Sequence, residues 1–133
     1  MLGLLTAAAI GVGSIAYAPV AANAMQTVCD GYTRIGSKGL SLPGSTGEVI
    51  RLWWYKNSST GEWCAYTELR GIYYDTASGY HIGVTLKNSA GQNLVVPDDR
   101  NYYKYAGPVK ARGVSYAEGW VYWGGVKKPV DSR

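Results

Sequence analysis

The sequence predicts an all-β fold: a small antiparallel β-sandwich or barrel of about six to eight strands, closed by one disulfide. Three observations predict it. Tyr and Trp are abundant while Phe is absent, a composition that suits half-buried strand faces. Gly, Ser, Asn and Thr recur about every ten residues, the spacing of turns between short strands. No segment sustains an apolar repeat at helical spacing, because glycines interrupt each one.

Residues 1–24 read as a cleavable signal peptide. They hold no charged side chain, run apolar from Leu2 to Ile15, and end at Ala22-Asn23-Ala24, where two small side chains suit the signal-peptidase cleft. Gly3, Gly11, Gly13 and Pro19 make the run too loose for a spanning helix, which wants about 20 strongly apolar residues. The expectation is therefore a secreted, extracellular β domain over residues 25–133, with no membrane span once the leader is removed. Cys29 and Cys64 are the only cysteines, and export favours their oxidation. The loop they would close, about 36 residues, corresponds to roughly 4 kcal/mol of chain entropy.

The first strand of regular pattern is Glu48 to Lys56. Ile50, Leu52 and Trp54 alternate with Val49, Arg51, Trp53 and Tyr55, which gives one apolar and one mixed face. Asn57-Ser58-Ser59-Thr60-Gly61 turns the chain into a second strand, Glu62 to Arg70. Tyr80 to Lys87 follows, with Tyr80, Ile82, Val84 and Leu86 on one face. A short partner from Gln92 to Val96 ends at Pro97, and Asp98 to Asn101 reads as a polar loop. Two further strands are expected over Pro108 to Val114 and Gly119 to Val126. The stretch Arg34 to Gly47, with its glycines and Pro43, shows no defined pattern.

Several segments together carry a resemblance. Val28-Cys29-Asp30-Gly31-Tyr32, the Ser-rich turn before Cys64, Tyr102-Tyr103-Lys104-Tyr105-Ala106-Gly107-Pro108-Val109 and Trp123-Gly124-Gly125 resemble the spore-associated protein A family of small secreted actinobacterial proteins. Members of that family usually carry a second cysteine pair; here Trp120 stands near one expected position. The resemblance implies a protein of spores or culture fluid. It also implies kinship with small adaptor subunits that join a lectin-like subunit to a large toxin subunit in umbrella-shaped antibacterial particles.

The residues argue against catalysis, so no enzymatic activity, catalytic residue, metal or cofactor is expected. The one histidine, His81, would need Ser78 and Asp75 as triad partners, too close in sequence to hold the geometry. A zinc site cannot be completed from one His and two bridged Cys, and Asp98-Asp99 lacks a spaced oxygen-ligand pattern. Glu62 and Glu68 would stand about 20 Å apart along a strand, too far for a glycosidase pair. The net charge of +4 is dispersed, which disfavours nucleic acid.

The aromatics are too many for a core of this size, and alternation turns some outward. Exposed Trp and Tyr mark binding surfaces. Trp53, Tyr55, Tyr103 and Tyr105 are the expected contact residues, for an extracellular protein partner. An exposed sheet edge would accept a partner strand, and Met25 to Val28 could be donated to one. A carbohydrate or cell-wall binding module is the first alternative. A protease inhibitor presenting Asp98 to Asn101 is the second.

Overall fold

A computed structural model describes residues 28–133. The expected leader and the segment 25–27 lie outside the described residues; Val28, the end of the segment expected to be donated, lies in a turn. The chain divides into two units, residues 1–30 and 31–133, and the second holds every described strand. Both cysteines, Cys29 and Cys64, are disulfide-bonded and none is free.

The fold is all-β. Among the described residues, eight strands run β1 Thr33–Ser41, β2 Glu48–Lys56, β3 Trp63–Leu69, β4 Tyr80–Lys87, β5 Asp98–Tyr102, β6 Tyr105–Ala111, β7 Tyr116–Trp123 and β8 Val126–Asp131, with one 3-10 turn at Gly71–Tyr73. They form two antiparallel four-stranded sheets, ordered β1-β2-β3-β6 and β5-β4-β7-β8. The chain changes sheet after β3, after β5 and after β6, so the two sheets share one core as a sandwich.

Alternation places that core. Ile50, Leu52 and Trp54 of β2 and Ala65, Thr67 and Leu69 of β3 face Ile82, Val84 and Leu86 of β4 and Ala117 and Val121 of β7, all buried. The central strands β2 and β4 have the expected bounds. Between β2 and β3 the connection spans 57–62, one residue longer than expected, because β3 begins at Trp63. Asn57 organises it: its side-chain oxygen accepts from Ser59 N at 2.9 Å, and its carbonyl accepts from Gly61 N at 2.7 Å.

Four expectations need correction. Asp98 to Asn101 is not a loop but most of β5, paired with β4 from Tyr80↔Tyr102 to Val84↔Asp98. Its polar residues are tolerated because β5 is an edge strand whose carboxylates find donors. Gln92 to Val96 is not a strand; the Lys87↔Asn93 bridge, Leu94 N on Leu86 O at 2.8 Å and the hydrogen bonds between Asn88 and Gln92 tie it down as a turn instead. The later strands shift: β6 starts at Tyr105 and ends at Ala111, and the region expected as one strand from Gly119 divides into β7 and β8. Gly124 and Gly125, both at positive φ (60° and 79°), turn the chain there, the conformation that tight hairpins require. Finally, the stretch from Arg34 that showed no pattern is mostly β1, a nine-residue edge strand on β2.

Candidate binding face

The outward face of the β1-β2-β3-β6 sheet carries a self-packed row of rings. Trp53 of β2 stands opposite Tyr66 of β3, and Tyr55 stands opposite Cys64, one step diagonal to Tyr66. Trp53 stacks on Tyr66 with ring centroids 6.4 Å apart, Tyr55 stacks on its other side at 6.0 Å, and Tyr105 of β6 meets it edge-on at 6.0 Å. Tyr66 is 3% exposed although it points away from the core. Its neighbours exclude water from it, and that burial, with the Tyr55 hydroxyl 3.4 Å away, pushes its hydroxyl pKa far above the ordinary tyrosine value.

Arginines frame the row. The guanidinium carbons of Arg34, Arg70 and Arg51 lie 5.3, 5.8 and 6.0 Å from the Trp53 ring centre, inside cation–π range. Two of the three are neutralised. Arg51 pairs with Glu48 and donates to Ser37 Oγ at 2.8 Å; Arg70 donates to Glu68 at 2.6 Å. Glu68 also accepts from Trp53 Nε1 at 3.0 Å, which fixes the indole's rotation. Arg34 has no carboxylate partner among the described residues. Gly39 leaves the space that the Glu48 carboxylate occupies, so a glycine of β1 makes room for the ion pairs of β2.

Of the four expected contact residues, Trp53, Tyr55 and Tyr105 thus come together around Tyr66. Tyr103 does not join them: it lies in the short connection from β5 to β6, 54% exposed. There it borders a separate open groove of about 480 Å3, lined by Asp75, Tyr102, Tyr103, Lys104, Tyr105 and Gly107. Tyr105 touches both features. Tyr66 and Arg34, central to the face, were not among the expected contacts. Their signal was the outward phase of β3 and β1, and β1 showed no strand pattern.

The opposite outward face, on β5-β4-β7-β8, holds a second cluster. Asp99 Oδ1 accepts from Trp120 Nε1 at 2.9 Å and lies 2.8 Å from His81 Nε2. Tyr122 packs on the imidazole at 4.3 Å, and Lys127 lies 4.0 Å over the Trp120 ring. His81 therefore pairs with Asp99 rather than with Asp75 and Ser78; Ser78 instead offers its carbonyl to Asn101 Nδ2 at 2.9 Å.

No protein-family model, curated protein or solved structure matches this chain.

The carboxylates considered for chemistry are each engaged separately. Glu62 accepts from the Tyr32 hydroxyl, which holds that hydroxyl's pKa above its ordinary value, while Glu68 serves Trp53 and Arg70. Asp98 accepts from Tyr102 at 2.5 Å through one oxygen and from Gly107 N at 2.7 Å through the other. Among the described residues, no three His, Cys, Asp or Glu side chains converge as metal ligands.

Proposed function

We propose that this protein is a secreted, non-catalytic binding domain that recognises another extracellular protein through the Trp53–Tyr66–Tyr55 face. One observation carries the reading: a stacked aromatic row on an outward sheet face, bordered by Arg34, a guanidinium laid on an indole with no carboxylate of its own. Aromatic rings and arginine are the side chains that dominate binding energy at protein interfaces. Here they are already ordered, so little rotamer entropy is lost when a partner docks. The vacant charge on Arg34 favours a partner carrying a carboxylate at the centre of its contact patch.

The role that fits such a surface is that of an adaptor or structural subunit in a secreted assembly, in line with the resemblance to spore-associated and toxin-particle adaptor proteins. The face supports this better than an open edge does. All four edge strands carry charge or proline: Lys38 in β1, Asp98-Asp99-Arg100 in β5, Pro108 and Lys110 in β6, Lys127-Lys128-Pro129 in β8. Such residues oppose strand addition.

The test is purification of the tagged mature protein from culture fluid of its source, beside the Trp53→Ala/Tyr55→Ala and Arg34→Ala variants. Recovery of a large secreted polypeptide and a lectin-like protein at fixed ratio, lost in the double variant and weakened in R34A, is the expected result. Recovery of the wild-type protein alone, fully oxidised, overturns the reading.

A further inference from the structure

We propose that the groove between the β5–β6 connection and the turn after Gly71–Tyr73 binds an uncharged pyranose unit of a glycan. This site adjoins the protein-binding face at Tyr105 alone, and the proposal does not rest on that face's function.

The groove is built rather than incidental. Asp98 fixes two of its lining residues at once, accepting from the Tyr102 hydroxyl at 2.5 Å and from Gly107 N at 2.7 Å. Gly107 has φ +101°, and a side chain there would press on Ala65 O, 2.9 Å from the added carbon; this lining position is therefore confined to glycine. On the other wall, Asp75 adopts φ +59°, the only residue other than glycine at positive φ among the described residues. Its N–H donates to Tyr103 O at 2.7 Å, which ties the backbones of the two walls together. Backbone held in a sparsely populated region marks a position that the surrounding structure over-determines, often at a ligand site.

The chemistry on offer matches a sugar. Tyr103 presents an exposed ring, the flat apolar surface on which the C–H face of a pyranose stacks. The Asp75 carboxylate has no hydrogen-bond or ion-pair partner among the described residues, and two acceptor oxygens suit two neighbouring hydroxyl donors. Lys104 adds donors, likewise with no ion pair among the described residues. One carboxylate and one ammonium leave the groove with no net charge, and the carboxylate disfavours a phosphate or an acidic sugar. A volume of about 480 Å3 is within the range of small-ligand sites.

The experiment is a nuclear magnetic resonance titration of the whole oxidised protein with four neutral trisaccharides: cellotriose, maltotriose, mannotriose and the N-acetylglucosamine trimer. At least one should shift the Tyr103 and Lys104 signals saturably. Asp75→Asn, which keeps a residue tolerant of positive φ, should weaken that binding about tenfold through lost charge-assisted hydrogen bonds. Tyr103→Leu should remove it, and Trp53→Ala should leave it unchanged. Three results overturn the proposal: no response at tens of millimolar of any of the four sugars, a response indifferent to both D75N and Y103L, or one abolished by W53A with the fold intact.

Discussion

The indole of Trp120 lies across Gly83 on the neighbouring strand, filling the space that any side chain at position 83 would need. From there its Nε1 reaches Asp99 on β5, so one ring spans β7, β4 and β5 and ties the second sheet across its outward face. Gly83→Ala should force the ring off this path. The expected cost is about 1–3 kcal/mol, as for other overpacked sites, read as a lowered thermal midpoint. The Trp120 fluorescence should change with it; an unchanged midpoint would mean the ring has an equally good second position.

A second glycine on β7 serves the contact between sheets. The Thr67 hydroxyl on β3, fully buried, donates to Gly83 O on β4 at 2.8 Å, joining the two sheets through the core. Gly119 leaves room for that hydroxyl, since a side chain there would meet Thr67 Oγ1. Thr67→Val keeps shape and removes the donor. It should cost about 1–2 kcal/mol in denaturant unfolding, the usual loss for a buried hydrogen bond, with the slope against denaturant unchanged.

These contacts explain which parts of the fold were legible in the sequence. Strands β2 and β4 alternate strictly because each is central to its sheet, with one face on the core. Edge strands obey weaker rules. β1 has glycines at 36 and 39 because the Trp54 ring and the Glu48 carboxylate occupy the space beside them, so its apolar pattern is broken by its neighbours' needs. β5 is polar because Asp98 and Asp99 act as acceptors for groups on other elements. β8 carries Lys-Lys-Pro, protection for an edge. The Gly124-Gly125 hairpin was hidden inside an apparent strand from Gly119 to Val126, because the alternation of Trp120 to Trp123 masked the turn that two glycines signal. The aromatic face was half legible: alternation turns Trp53 and Tyr55 outward, but their meeting at Tyr66 depends on the β2–β3 register.

Alkaline pH should unfold the protein through Tyr102. Burial, then the hydrogen bond to Asp98, pushes its hydroxyl pKa up to about 12, against an ordinary value of about 10. The folded state thus holds this proton more tightly than the unfolded state. The stability it confers is complete below about pH 10 and is lost as the pH rises through 12. Tyr66, raised by its own burial, acts in the same direction. Spectrophotometric titration near 295 nm should show a late tyrosinate step that coincides with loss of β-sheet ellipticity. Tyr102→Phe should be less stable at neutral pH by about 1 kcal/mol and should flatten the decline above pH 10.

Glu68 controls both the order and the charge of the binding face. It accepts from Trp53 Nε1 and from Arg70 at once, and its side chain is only 14% exposed. Glu68→Gln retains an acceptor for the indole but removes one of the two carboxylates that balance Arg51 and Arg70. Losing a charge-assisted hydrogen bond at a partly buried site should lower stability by about 1–2 kcal/mol. The same change leaves the face more positive, so an acidic partner should associate faster at low salt, with the gain disappearing at high ionic strength. Stopped-flow or surface-based association rates across a salt series separate the two effects, because stability and encounter rate then move in opposite directions. A variant that lost stability and association rate together would mean that Glu68 itself contacts the partner.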